Sequence, residues 1–316
     1  MGEEEYWSYK SHSAGYKGVG NANIYAGTLS VAENVLSYSG SRNPLSISNT
    51  YNICDCFEKA NGYVHNHKFL NGYPHSSYTG LGFRLSFNKL VYPIPSDDLL
   101  NVERNLKYVY VDGDGTQHYF KLENNTLSDV DGLNLTLTEA LNGEIEIKDL
   151  KDNKLVFGKP YIDDGAYALL RESDNEGNTT TYNYGVSSGT AESKINTITD
   201  SAGRETSISY NNDNTVSAIT MADGTQIGFS YSGDKLSEIT YPGDSEGLTL
   251  KTGYEYDEQG RLSVVWTNEG VGRCVQYNYA SNDYDSLNFF KIRSVTEYAG
   301  TKVDAHKSGK KYKLCL

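Results

Sequence analysis

The sequence predicts an all-β protein, and three observations carry that expectation: 27 tyrosines against 9 phenylalanines and 2 tryptophans, 31 glycines against 6 prolines, and an apolar period of two through the second half. Tyrosine favours strands and can lie half-buried with its hydroxyl in water. Glycine allows the tight turns that join short strands. Hydrophobic residues make up only 37% of the 316, which suits thin sheets with one wetted face better than helices around an oily centre.

The period of two is read directly. Ile208 and Tyr210 share a face, as do Ile227, Phe229 and Tyr231, then Tyr254 and Tyr256, then Val275, Tyr277 and Tyr279. From about residue 174 one phrase recurs. NEGNTTTYNY leads to KINTITD, SAGRETSISY to NTVSAIT, ADGTQIGFSY to DKLSEITYP, and GVGRCVQYNY to KIRSVTEY, while GLTLKTGYEYDEQGRLSVV holds both halves. The anchoring tyrosines Tyr184, Tyr210, Tyr231, Tyr256 and Tyr279 lie 26, 21, 25 and 23 residues apart, room for one hairpin per unit. Ala202-Gly203, Asp223-Gly224 and Gln259-Gly260 offer the positive φ that hairpin turns need. Since a hairpin cannot bury an apolar face alone, the expectation is a long antiparallel sheet of successive hairpins. Its natural twist would curl it into a partial spiral or shell.

These residues resemble the Rhs/YD-repeat family. YEYDEQGRLSVV is similar to a nearly complete repeat of that family, with Tyr256-Asp257 as the eponymous pair and Gly260-Arg261-Leu262 after it; SAGRETSISYNNDNTVSAIT is a looser copy, with Asn211 in place of Asp. NIYAGTLSVAENVLSYSGSRNPLSISNTYN resembles the segment that precedes the repeats in large exported members. GLGFRLSF, YVDGDGTQHYF, GLNLTL and EIEIKDLKDNKLVF follow in the family's order. The resemblance covers roughly residues 23 to 300. It implies a β shell that encloses a C-terminal toxin or stands at the cell surface, with sugar binding suggested for some repeats. Neither the Asp-Pro-x-Gly core signature nor a distinct toxin domain is found here. The chain is therefore expected to be a segment of a longer protein, comprising a flexible stretch 1–22, a β-rich lead-in region 23–160, repeat hairpins 161–300 and a basic tail 301–316.

A net charge of -13 argues against a nucleic-acid partner, because phosphates would be repelled. No apolar run is long enough to span a bilayer, so no membrane insertion is expected. MGEEEYWSYK is too acidic and polar for a signal peptide, and a secreted or surface location is inferred from the resemblance. The expected partners are the rest of the same polypeptide, with its further repeats and cargo, and cell-wall glycan. Open sheet edges also make edge-to-edge self-association an expectation.

Candidate chemistry is thin. Cys54, Cys56, His65, His67 and His75 fall in one insertion, and C-x-C and H-x-H on a strand each put two ligands on one face, a mixture zinc would accept. The spacings are not those of a zinc finger, and the surroundings read as an exposed loop. DGDGT (112–116) resembles the start of a calcium loop but lacks the downstream acid, and the resemblance to the Rhs/YD-repeat family implies a hairpin turn there instead. Asp97-Asp98 and Asp163-Asp164 are adjacent pairs whose side chains diverge on an extended backbone. No cofactor fingerprint is found, no cofactor is expected, and the chain is expected not to be an enzyme. The tyrosine stripes read first as sheet packing. As a carbohydrate platform they would use Trp266, Tyr254, Tyr256, Tyr277 and Tyr279, since aromatic faces with polar rims suit sugar rings.

Overall fold

A computed structural model of the chain describes residues 8–40, 43–53, 79–159, 165–187, 190–243, 247, 249–268, 272–283, 286, 288–299 and 309–313. The fold is all-β and antiparallel, as the sequence predicts. Five strands form a lead-in sheet in chain order: β1 (Tyr9–Ala14), β2 (Gly18–Asn23), β3 (Leu29–Ser37), β4 (Ser46–Asn52) and β5 (Phe83–Leu85). The first two correct the expectation of a flexible stretch over 1–22. SHSAGYKGVGNAN lacks apolar alternation, but its backbone pairs in full register from Tyr9↔Asn23 to Ala14↔Gly18.

Eight strands then close on themselves: β6 (Leu90–Pro93), β7 (Leu106–Val111), β8 (Gln117–Glu123), β9 (Thr126–Asp129), β10 (Thr136–Glu139), β11 (Ile145–Lys148), β12 (Lys154–Gly158) and β13 (Tyr167–Ser173). Closure rests on two pairs between β13 and β6, Tyr167↔Val91 and Ala168↔Leu90. This barrel was not expected from the sequence. Its interior is filled by Phe120, Leu137, Ile145, Phe157 and Leu169, all nearly free of solvent. Between β6 and β7 lies a short helix, α1 (Leu99–Arg104), also unexpected. Asp98 caps it by accepting from the Leu100 amide at 2.9 Å, and Asn105 ends it at φ 55°. One member of the Asp97-Asp98 pair is thus a helix cap.

Strand β13 is the branch point. Tyr167 and Ala168 pair with β6, while Arg171, Glu172 and Ser173 on the same edge pair with the next strand, which leads out of the barrel. The ribbon continues through β14 (Thr179–Ser187), β15 (Thr190–Thr199), β16 (Glu205–Tyr210), β17 (Val216–Thr220), β18 (Gln226–Ser232), β19 (Lys235–Tyr241), β20 (Leu250–Tyr256), β21 (Leu262–Thr267), β22 (Arg273–Tyr279), β23 (Ile292–Ala299) and β24 (Gly309–Lys313). The last lies within the expected basic tail, where Lys310–Lys313 pair with Glu297 back to Ser294.

One face of the ribbon is an apolar stripe. Ile208 opposes Ile219, Ile219 opposes Ile227, Phe229 opposes Ile239, and Tyr254 and Val275 flank Val265. The lead-in sheet covers this stripe. Phe83 meets Tyr254 edge-on at 5.0 Å, Tyr16 meets Tyr241 at 5.0 Å, and the Leu262 amide donates to the Tyr51 hydroxyl at 3.0 Å. Barrel interior and covered stripe form one continuous hydrophobic cluster. No helix among the described residues is long and apolar enough to cross a membrane.

Candidate functional site

The repeat tyrosines do a defined job. Each of the five anchors sits at a register shift and faces a buried aliphatic residue: Tyr184 with Ile195, Tyr210 with Val216, Tyr231 with Leu236, Tyr256 with Leu262, and Tyr279 with Ile292. The bulge turns each ring back over the preceding unit. There its hydroxyl donates to a backbone carbonyl. Tyr210 reaches Ile195 O at 2.9 Å, Tyr231 reaches Val216 O at 2.7 Å, Tyr256 reaches Leu236 O at 2.7 Å and Tyr279 reaches Leu262 O at 2.7 Å. Tyr184 does the same to Leu169 O at 2.9 Å in the last barrel strand. The first four of these aliphatic residues thus pack in their own units and offer their carbonyls to the next tyrosine. The ladder holds unit to unit.

A second device closes the turns. Asp257 accepts from the Gln259 and Arg261 amides at 3.1 and 2.9 Å, and the Arg261 Nε returns to Asp257 Oδ2 at 2.7 Å. Asp200 and Arg204 repeat this, and Asp149 with Asn153 and Asp174 with Asn178 use an amide for the return bond. The fourth residue of each turn has positive φ: Asp152, Gly177, Gly203 and Gly260. This is a type I turn followed by a left-handed residue. The side-chain bond from Asn178 leads in holding the Asp174 carboxyl below its ordinary range. Both arginines also hook distant chain. Arg204 donates to Ser39 O at 2.8 Å and stacks on Tyr38, and Arg261 donates to Ser281 O and Phe289 O at 2.7 Å between the Tyr279 and Phe289 rings.

The residues expected of a carbohydrate platform are placed apart. Tyr254 and Tyr277 are only 4% and 2% exposed, because the lead-in sheet lies over them. Tyr254 donates to Glu33 at 2.5 Å, and Tyr277 meets His12 Nε2 at 2.8 Å. Tyr256 and Tyr279 are half-buried ladder members. Trp266 lies on the other face, flat against its cross-strand partner Gly253, where a Cβ would come within 2.0 Å of the indole. The five residues do not form one surface. Cys54, Cys56, His65, His67 and His75 lie outside the described residues.

Two polar sites were not found from sequence. Glu33, 1% exposed, receives Tyr241 and Thr252 hydroxyls at 2.6 Å and the Tyr254 hydroxyl, joining β3 to β19 and β20. Burial first, and the Glu33 charge second, push the Tyr254 hydroxyl well above its ordinary pKa.

The other is a cavity of about 460 Å³ at one mouth of the barrel. Tyr110 and His118, on β7 and β8, stack at 5.6 Å and 29°. His118 Nδ1 lies 3.2 Å from Asp131. Lys89 and Glu172 form a close ion pair, and Tyr182 adds a hydroxyl to Glu172 at 3.0 Å. Burial lowers the Lys89 pKa, but Glu172 outweighs it and leaves the ammonium above its ordinary range. Asp112 is pushed up to about 7, by burial first and then by the Asp114 carboxyl beside it. DGDGT is a hairpin turn here, with the Gly115 amide on Asp112 O at 3.1 Å. Leu133, Leu135, Ile147 and Leu155 supply apolar wall.

No protein-family model matches the chain, and no curated protein matches it. Among solved structures, a TcdB2-TccC3-Cdc42 complex matches over 92% of this chain and 18% of that chain, at 12% identity and a TM-score of 0.31. A Photorhabdus luminescens Tc holotoxin pore matches over 96% and 21%, at 10% identity and 0.29. A porin-like protein from Bacteroides uniformis matches over 71% and 93%, at 11% identity and 0.26. The chain spans about a fifth of the length of the Tc toxin chains it matches. Function therefore has to be read from the chain's own geometry.

Proposed function

We propose that this chain is a wall segment of a β shell in an exported or surface protein, and that it encloses or presents other parts of the same polypeptide. In this reading it catalyses nothing, and the activity belongs to cargo downstream. The observation that carries the reading is the tyrosine ladder. Five successive units use their signature residue to bond the unit before, which is a device for extending a wall indefinitely. The turn aspartates and arginines are likewise spent on holding hairpins and hooking distant chain. A glycan-binding role for the tyrosine stripes finds no support, since two of the five residues lie under the lead-in sheet.

Reading the gene on both sides of this segment tests the proposal. Continuation into further YD repeats, an Asp-Pro-x-Gly core and a variable tail is the expected result. An open reading frame ending at Leu316 with no export signal would sink it.

A further inference from the structure

The geometry points to the barrel mouth as a binding site for a small, neutral, polyhydroxylated molecule, with Tyr110, His118 and Asp112 taking its hydroxyls and Leu135, Ile147 and Leu155 covering its apolar face. Four observations lead there. The cavity, about 460 Å³, falls within the range of about 300–1,000 Å³ typical of small-molecule sites. Its two walls differ in character. In an eight-strand ring, β7 and β8 stand across from β11 and β12, so the polar groups of the first pair face the aliphatic groups of the second.

Hydrogen-bonding capacity is left over on the polar wall. Tyr110 is 5% exposed, lines the cavity, and has no hydrogen-bond partner for its hydroxyl among the described residues. His118 is 6% exposed and uses Nδ1 on Asp131, which leaves Nε2 for a ligand hydroxyl. The stacked rings hold both polar atoms in place. A donor-acceptor hydroxyl beside a ring nitrogen, with Asp112 keeping one carboxyl oxygen beyond the one that accepts the Asp114 amide at 2.8 Å, matches a molecule that carries several hydroxyls.

Charge selects against ions. Lys89 and Glu172 neutralise each other, and Asp112 sits beside Asp114 at the threshold of protonation near neutral pH. Asp149 and Asp174 at the rim already accept amide and side-chain bonds from their own turns. A cation would find its carboxylates engaged, and an anion would meet two ammonium groups already paired, Lys89 with Glu172 and Lys154 with Glu146 at 3.3 Å. A neutral polyol costs least to desolvate there.

This inference stands apart from the shell reading, since a wall segment and a free-standing module could both carry the site. The test is saturation-transfer NMR on the whole chain with glucose, N-acetylglucosamine, maltose and myo-inositol at millimolar concentration, and with spermidine and glucose 6-phosphate as charged comparators. At least one neutral probe is expected to receive saturation, and that signal to fall fivefold or more in Tyr110→Phe and in Leu135→Trp, which fills the mouth. Tyr110→Phe keeps the ring and its stacking, so it decides the matter if Leu135→Trp fails to fold. Saturation of none of the four neutral probes, of spermidine or glucose 6-phosphate alone, or a signal indifferent to Tyr110→Phe would each overturn the proposal.

Discussion

At the scale of single residues, the ladder makes a uniform prediction. Removing one hydroxyl leaves a ring of nearly the same shape and a carbonyl without its donor, so Tyr231→Phe should cost about 1 kcal/mol. Tyr210→Phe and Tyr256→Phe remove the same bond in the same geometry and should cost the same within a factor of about two. Urea denaturation of the three variants checks this, and a spread of several kcal/mol would show that the units are not equivalent. His12 makes a prediction in pH. Burial against Tyr277 lowers its pKa to about 4, partly countered by the Lys10 backbone, from 6.5 in the unfolded chain. A base depressed in the folded state contributes stability above the unfolded value and loses it as pH falls. The loss therefore runs from about 6.5 down to about 4. Allowing for partial exposure, it is on the order of 1–2 kcal/mol. His12→Gln keeps a polar group for Tyr277 and should flatten that limb. Asp112 slopes the other way, since its folded pKa of about 7 lies above 3.8 and its contribution fades as pH rises between them. The difference between wild type and His12→Gln cancels that slope, so an unchanged acid limb would mean that His12 is not held neutral.

At the scale of elements, the turn clamp decides how a mutation is felt. In the Asp257 turn, Arg261 is 1% exposed and would lose its counter-ion in Asp257→Ala, a change expected to cost about 3 kcal/mol. The same change at the exposed Asp174 turn, which holds Asn178 instead, should cost clearly less. Equal effects in thermal melts would mean that Arg261 finds another partner. Such turns were legible in sequence because positive φ selects glycine or asparagine, and ribbon strands such as β16 and β18 were legible because their period is two over six or seven residues. The aspartate's double role was not legible, because the bonds to a residue four along appear only once the turn is closed. α1 hid in a six-residue stretch, too short to show a helical period. β1 and β2 hid because their burial comes from the sheet and ribbon beside them rather than from their own side chains. The barrel hid because two residue pairs close it across a large sequence separation. Its mouth draws on β6's lead-in, β7, β8, β11, β12 and β13, so no local spacing could announce it.

At the scale of the whole molecule, the question is whether barrel, ribbon and lead-in sheet unfold together. Repeat arrays open unit by unit when each touches only its neighbours. Here the lead-in sheet spans many units at once. Tyr38 bonds to Thr206 and receives the Ala222 amide, Leu81 donates to Asp234, Glu33 holds β19 and β20, and Ile292 donates to Gly27. The apolar cluster also runs without a break from Phe157 in the barrel to Ile239 in the ribbon. A shared core couples the parts, so calorimetry should show one transition for the described fold. Glu33→Ala tests the coupling where it is most concentrated. It strands three buried hydroxyls, those of Tyr241, Tyr254 and Thr252, at an expected cost of about 2–4 kcal/mol. Phe157→Leu disturbs only the barrel interior, where a smaller side chain leaves unfilled space. If the fold is one cooperative unit, both variants lower the same single peak. If Glu33→Ala splits it and Phe157→Leu then moves only one of the two, the barrel is a separate folding unit and the ribbon's stability comes from the sheet laid over it.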